Sequence, residues 1–218
     1  MKEAGPNITQ KVFDENDLEV FEGDLESRIK ALAFWIDHKV KRKQWSNEEI
    51  AKKFAKRSTR EILTDGDTGF MNPCSDFMLV AWALLKKNGL KPILIAEKIK
   101  PKKYNFIHMH FVIEFFNKDI LYFLDFTTKN QVVLRKGEYK NQREGIETLQ
   151  TVKITNDISF DQNMQSVLEN NKFDFSGFKL EDIVAQLQKD NTPQTYASYV
   201  EKLPHNGDLY LDSDIQIS

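Results

Sequence analysis

Apolar residues recur at helical spacing through the first part of the chain. From Leu25 to about Lys43 they return every three or four positions, which predicts an amphipathic helix. Ser46 and Glu49 then form the pattern of a capping box, in which each side chain accepts a hydrogen bond from a backbone N–H at a helix start. A second helix is expected there, running toward the polar turn at 64–69. Its predicted buried residues are Ile50, Ala51, Phe54 and Ala55.

The run around Cys74 predicts a buried helix. Asn72 is a favourable N-cap, and Pro73 suits the first helical position because its missing N–H is not needed there. Cys74 would lie in the first turn, and the residues behind it, 77–85, are almost wholly apolar. The run stops at the Asn-Gly pair 88–89, a usual helix end. A helix this apolar is expected to lie at the centre of the fold.

Runs of β-forming residues follow this helix. Strands are predicted over 92–97, 106–116 and 120–127. The lysine-rich stretch between the first two, which includes Lys98, is expected to be a solvated loop. Beyond residue 128 the weaker pattern predicts strands at 132–134 and 149–154, helices at 160–168, 180–187 and 195–203, and an acidic end that forms an edge strand or a loose tail.

The second and third of these strands have the pattern of an antiparallel hairpin with one apolar face. A loop of two or four residues around Asn117 and Lys118 sets a register in which His110 stands directly opposite Asp125. The other face is apolar at every position, so it should pack on the core and leave His110 and Asp125 together on the opposite side. Opposed side chains have Cβ atoms about 4.5–5.5 Å apart, close enough for an imidazole N–H to donate to a carboxylate. The alternation therefore predicts a His110–Asp125 pair.

Composition and charge narrow the functions that such a fold could serve. The 218 residues carry 31 Lys+Arg against 33 Asp+Glu without long blocks of either sign, so nucleic acid is a poor first guess as a partner. No apolar run approaches the roughly 20 residues needed to span a bilayer, and the first ten residues lack a secretory pattern, so the chain is predicted to be soluble and cytoplasmic, without a membrane partner. Cys74 is the only cysteine, which excludes an intrachain disulfide and a multi-thiolate zinc site.

Cys74, His110 and Asp125 supply the three residue types of a thiol-based catalytic triad. A thiol nucleophile needs a nearby base to become thiolate at neutral pH, and the base needs a partner that orients it. A helix N-terminus around Cys74 would add partial positive charge, which favours the thiolate. His108 lies on the same strand face as His110 and is a second, weaker candidate for the base. Glu114 shares that face and is expected to be structural.

These residues resemble the transglutaminase-like core of the papain-type cysteine enzymes. The matching runs are Asn-Pro-Cys-Ser-Asp-Phe at 72–77, His-Phe-Val-Ile-Glu-Phe at 110–115 and Leu-Asp-Phe-Thr at 124–127. In that family a Cys opens a buried helix, a His begins a strand, and an Asp ends the neighbouring strand just before a Thr. The resemblance covers residues 25–130 approximately. It implies that Cys74 is the nucleophile, that His110 is the general acid and base, and that Asp125 orients the imidazole.

Two positions differ from the usual pattern of the family. Pro73 precedes the Cys where a small residue such as Gly is common, and Val112 stands two residues after the His where Trp is common. Both differences bear on the depth and shape of the substrate cleft. The upstream residue that completes the oxyanion hole in such enzymes is open between Gln44, Trp45 and Asn72.

The chain as a whole is predicted to have an α+β fold with a papain/transglutaminase-like core, in which a helical N-terminal lobe packs on an antiparallel β-sheet. The expected organisation is an arm over 1–24, the catalytic core over 25–155 and a C-terminal helical extension over 156–218. The resemblance implies a cysteine-dependent acyl-transfer enzyme that acts on amide bonds of a protein or peptide substrate. A peptidase or glutamine amidohydrolase is favoured over a cross-linking transglutaminase, and no cofactor or metal is expected to take part.

Two other functions fit the same residues. The first is a catalytically idle transglutaminase-like module that binds protein. The second is an acyltransferase that uses the same triad on acyl thioesters, as in arylamine acetyltransferases, although the Arg-Gly-Gly approach to the Cys of those enzymes is absent here. The sequence leaves the oligomeric state open.

Overall fold

The protein has a mixed α+β architecture in which helices pack on an antiparallel sheet. The computed structural model describes residues 12–43, 45–69, 74–102, 106–126, 132–140, 145–179 and 181–182, and the backbone of 209–211. After a short 3-10 turn at Glu15–Asp17, the helices are α1 (Leu25–Lys39), α2 (Asn47–Lys53), α3 (Thr59–Asp65), α4 (Cys74–Lys87) and α5 (Met164–Asn170). The strands are β1 (Lys41–Lys43), β2 (Asp67–Gly69), β3 (Ile93–Pro101), β4 (His108–Asn117), β5 (Ile120–Phe126), β6 (Val132–Lys136), β7 (Ile146–Ile154) and β8 (Leu209–Leu211).

Side-chain caps determine where the second and third helices begin. The capping box of Ser46 and Glu49 is confirmed at the start of α2, and a second box, from Ser58 and Glu61, starts α3. The prediction of one helix here was wrong, because Ala55 takes a left-handed φ of 55° that an α-helix cannot continue through. Ala51, which was expected to be buried, is exposed.

Helix α4 lies at the centre of the core, as its sequence predicts. All its residues from Cys74 to Leu85 are buried, and it packs against β4 and β5. Phe111, Ile113 and Leu124 belong to the apolar face of the sheet that shares this core. The helix is 14 residues long, and none of the helices among the described residues has the length and apolar character needed to cross a bilayer.

The main sheet has the strand order β7-β3-β4-β5-β6-β8. The first five strands pair antiparallel to their neighbours, and β8 joins β6 in parallel. Strands β1 and β2 form a separate parallel pair in the helical part of the molecule. Strand β4 is therefore central, with β3 on one side and β5 on the other, and its side chains meet residues from both neighbours.

The register of the β4–β5 hairpin differs from the prediction by two positions. Asn117 pairs with Ile120, so the turn consists of Lys118 and Asp119, with Lys118 at a left-handed φ of 56°. His110 is consequently not directly opposite Asp125. Because side chains alternate with a period of two, a shift by two positions leaves every residue on its predicted face.

The lysine-rich stretch that begins at Lys98 also differs from the prediction. Strand β3 continues to Pro101, and Lys98 is buried with its Nζ 2.6 Å from Asp174 Oδ2. The segment that contains Asp174 follows α5, the helix predicted at 160–168 and found slightly later in the chain. The helices predicted over 180–187 and 195–203 lie outside the described residues, apart from 181–182.

Candidate active site

The sheet places His110 and Asp125 together on the face opposite α4. Continuing the β4–β5 pairing sets Asp125 across from Val112, two residues from His110 on the same face. Such diagonal neighbours are within reach of long side chains, and His110 Nε2 lies 3.3 Å from Asp125 Oδ2. Their side chains are only 6% and 9% exposed, so water screens this contact little. The predicted pair is thus observed in a diagonal arrangement, not a direct one.

Cys74 lies at the end of β5 that carries Asp125. It is the first residue of α4 and is 7% exposed. Its Sγ is 4.0 Å from the backbone oxygen of Phe126, the residue that follows Asp125. The sulfur thus lies at the N-terminus of α4, where backbone N–H groups carry partial positive charge. The structure therefore brings all three predicted residues to one end of the sheet.

A buried ion network holds the first turn of α4. Asp76, two residues after Cys74, accepts hydrogen bonds from Arg57 Nη2 and from Thr68 Oγ1, the latter at 2.8 Å. Arg57 also donates to the Asp67 backbone oxygen at 3.0 Å and to Asp65 Oδ2 at 2.9 Å. The network links the connection between α2 and α3, strand β2 and helix α4, and so positions the start of the Cys74 helix.

Burial and the neighbouring charges shift the pKa values of three members of this network. Burial raises the pKa of Asp76, and the Arg57 charge and the Thr68 hydrogen bond offset this only in part. Burial by itself would lower the pKa of the Arg57 guanidinium, but the Asp76 carboxylate and the hydrogen bond to Asp65 outweigh burial and raise it. Burial would likewise raise the pKa of Asp67, but the hydrogen bond from Lys43 and the charges of the surrounding cations lower it. Arg57 and Asp67 are therefore charged at neutral pH.

Trp45 is the one described residue among the three candidates for the oxyanion hole; Gln44 and Asn72 lie outside the described residues. Its indole packs under Arg57, whose guanidinium carbon is 4.7 Å from the ring centroid. A Cβ at Gly69 would lie 2.6 Å from the ring, so only glycine permits this approach. Within the described part of the chain the buried indole N–H has no hydrogen-bond partner. Trp45 thus packs against the chain just before the segment that leads to Cys74.

His108, the second candidate for the base, has an apolar environment. Its ring centroid is 4.1 Å from that of Phe106. Burial lowers the pKa of His108 to about 4, so its ring is neutral at pH 7. Glu114 accepts from the Tyr139 backbone N–H at 2.7 Å and from Lys153 Nζ at 3.2 Å, which agrees with the structural role expected for it.

Several polar residues around the site were not predicted. Arg57 and Asp76 hold the start of α4, while Glu97 and Tyr139 lie beside His110 on the sheet. Asp76 and Glu97 carried a signal that sequence reasoning could have used, since each is a carboxylate within an otherwise apolar run. A buried charge requires a partner, but the sequence does not indicate which residue supplies it.

Searches for related proteins give no family for the chain. No protein-family model matches it, and no curated protein matches it significantly.

Proposed function

We propose that the protein is a cysteine-dependent acyl-transfer enzyme with a transglutaminase-like core, in which Cys74, His110 and Asp125 form the catalytic triad. The observation that carries the proposal is the 3.3 Å approach of Asp125 Oδ2 to His110 Nε2, at the end of the sheet where α4 presents Cys74. A histidine held by a buried carboxylate, at the end of the sheet where a cysteine opens a helix, supplies the groups that activate a thiol.

In this proposal the two ring nitrogens have different roles. Asp125 at Nε2 orients the imidazole and stabilises its protonated form. Nδ1 is then the nitrogen that takes the thiol proton from Cys74. The Cys74 thiolate attacks the amide carbonyl and forms a carbon–sulfur bond, and the His110 imidazolium gives its proton to the departing amine. In the second half His110 takes a proton from water, the resulting hydroxide attacks the thioester, and the thiol recovers its proton as the acid product leaves.

Hydrolysis of a peptide bond or of a glutamine side chain is the reaction we favour over protein cross-linking. This preference rests on the resemblance to small transglutaminase-like proteins that carry no visible apparatus for a second substrate. The chemistry requires a protein or peptide substrate and no cofactor, and we retain the predicted cytoplasmic location as part of the proposal.

The rate of iodoacetamide labelling of Cys74, measured between pH 5 and 9, tests the triad. We expect rapid labelling below about pH 7, lost in His110→Ala, because only a thiol paired with a base forms thiolate in that range. His108→Ala is the matched control, since it removes a histidine two residues away on the same strand, and it should keep the wild-type profile. Labelling that rises through about pH 8.5 in all three proteins would be that of an ordinary thiol and would refute the proposal.

The burial of Cys74 favours a second candidate, a catalytically idle module that binds protein. With 7% exposure, Cys74 also fits the role of a small buried hydrophobe. The two candidates differ in one measurement, the formation of product from casein or glutamine peptides with and without an amine donor. Release of peptides or ammonia that stops in Cys74→Ala would support the enzyme, and its absence, together with an unreactive Cys74, would support the idle module.

A further inference from the structure

His110 has a buried carboxylate on each side, and the triad accounts for only one of them. Strand β3 pairs antiparallel with β4 and sets Glu97 directly opposite His110. Directly opposed residues point to the same face, with Cβ atoms about 4.5–5.5 Å apart. Glu97 is 2% exposed, so its charge is screened little by water. Asp125 approaches the same imidazole from the other neighbouring strand.

Tyr139 holds the Glu97 carboxylate. The phenol oxygen of Tyr139 lies 3.0 Å from Glu97 Oε2, and its backbone N–H donates to Glu114 Oε1 at 2.7 Å. The ring therefore lies across the sheet, with its centroid 6.2 Å from that of His110 and edge-on to Phe123 at 5.4 Å. A buried carboxylate needs such a donor to remain ionised. Tyr139 both supplies it and covers the face around His110.

We propose that Glu97 is a positioning residue for His110, held in place by Tyr139, and that it stabilises the imidazolium through which the triad works. The inference rests on the proposed function, because it assigns Glu97 a part in the same proton transfer. Among the described residues, the polar groups on this face near the imidazole include Glu97 from β3, Asp125 from β5 and Tyr139 from the segment after β6, and Arg135 of β6 lies on the same face, opposite Phe123. Glu114, on β4 itself, is matched by Lys153 at 3.2 Å. Glu97 and Asp125 therefore place a buried carboxylate on each of the two strands that flank His110.

Titration of the His110 ring, followed by NMR, tests this role. The chain has four histidines, so the His110 signal can be assigned by its loss in His110→Ala. We expect Glu97→Gln to lower the midpoint of the His110 titration by about one pH unit, since a neighbouring buried charge of opposite sign favours the protonated ring. Tyr139→Phe should shift the midpoint in the same direction by less, because it leaves the carboxylate in place without its donor.

The matched control is Glu114→Gln, which removes another buried glutamate from the same face. Its charge is balanced by Lys153, so the His110 midpoint should move far less than in Glu97→Gln. An unchanged midpoint in folded Glu97→Gln, or an equal shift in both glutamine variants, would overturn the inference. If Glu97→Gln does not fold, the midpoint in Tyr139→Phe decides in the same way.

Failure of this inference and failure of the proposed function give different results. Measured in the Cys74→Ala background, the titration of the His110 ring is free of the thiol, whose titration would otherwise be coupled to that of the ring. If the midpoint shifts but Cys74 labelling is insensitive to His110→Ala, the role of Glu97 beside His110 is supported and the proposed enzymatic function is refuted. If the midpoint does not shift but labelling depends on His110, the triad is supported and the positioning role of Glu97 is refuted.

Discussion

At the scale of single residues, two histidines on one strand have different chemistry because of their neighbours. His110 lies against the carboxylate of Asp125, while the His108 ring packs at a tilted angle against Phe106 and has only burial acting on its pKa. The same residue type, two positions apart and on the same face, is therefore held by a charge in one case and by apolar contact in the other. This difference separates a candidate base from a packed side chain.

The pKa of His108 predicts how stability depends on pH. Its pKa is lowered from 6.5 to about 4 in the folded protein, so the unfolded chain binds a proton at a pH where the folded chain does not. The stability that neutral His108 contributes above pH 6.5 should therefore be lost as the pH falls toward 4. We expect urea unfolding to show a smaller loss of stability between pH 7 and 5 in His108→Leu than in the wild type. His38→Gln, a change at an exposed histidine, should show the wild-type loss, and an equal loss in His108→Leu would contradict the prediction.

At the scale of elements, the start of α4 is held by side chains from two earlier elements. Asp76 is buried in its first turn and is reached by Arg57, from the connection between α2 and α3, and by Thr68 of β2. A buried ion pair adds little net stability compared with an apolar pair, but its loss leaves one charge unpaired in the core. The network therefore matters more for where the helix begins, and so for Cys74, than for the total stability.

Removal of Arg57 should consequently be costly. In Arg57→Met the Asp76 carboxylate stays buried without its cation, and we expect the free energy of unfolding to fall by about 3–5 kcal/mol. Lys52→Met is the control: its partner Glu48 and Lys52 itself are 77% and 71% exposed, and such a surface pair contributes only about 0.3–0.5 kcal/mol. If urea unfolding shows the same loss of free energy of unfolding in both variants, the prediction for the buried network is wrong.

At the scale of the whole molecule, the segment after β7 joins the helices to the sheet. Arg60 of α3 pairs with Asp161 at 2.6 Å, and Phe54 stacks on Phe178 at 6.1 Å. On the sheet side, buried Lys98 reaches Asp174. The hydrogen bonds from Lys98 and from the Ser176 hydroxyl and backbone N–H hold the pKa of Asp174 well below its usual range. Residues 173–178 thus close one side of the core through contacts with both layers.

The Lys98 contact should govern local opening of this segment more than global unfolding. Asp174 is 53% exposed in its side chain, so it can return to water when Lys98 is replaced by methionine. We expect Lys98→Met to speed amide hydrogen exchange in residues 173–178 by about tenfold, with little change in the exchange of α4. Lys100→Met, at an exposed position of the same strand, should leave both rates unchanged. Equal amide hydrogen exchange at residues 173–178 in the two variants would show that the Lys98–Asp174 contact does not stabilise this segment.

The sequence by itself determined the local elements and the faces of the strands. Helical spacing and caps predict α1, the start of α2 and the buried helix that carries Cys74, because these depend on residues within a few positions of one another. The alternation of β4 and β5 also determined that His110 and Asp125 share a face. That result survives the error in register, because a shift by two positions does not change the face.

Only the tertiary structure decided which distant residues meet. The turn at Lys118 set the register of the β4–β5 hairpin, and the left-handed Ala55 divided one predicted helix into two. Lys98, predicted to be solvated, is buried in an ion pair with Asp174. The meeting of Arg57 with Asp76 and of Tyr139 with Glu97 joins residues 19 and 42 positions apart. Such contacts depend on how loops close and layers pack, and no local pattern in the chain encodes the partner of a buried charge.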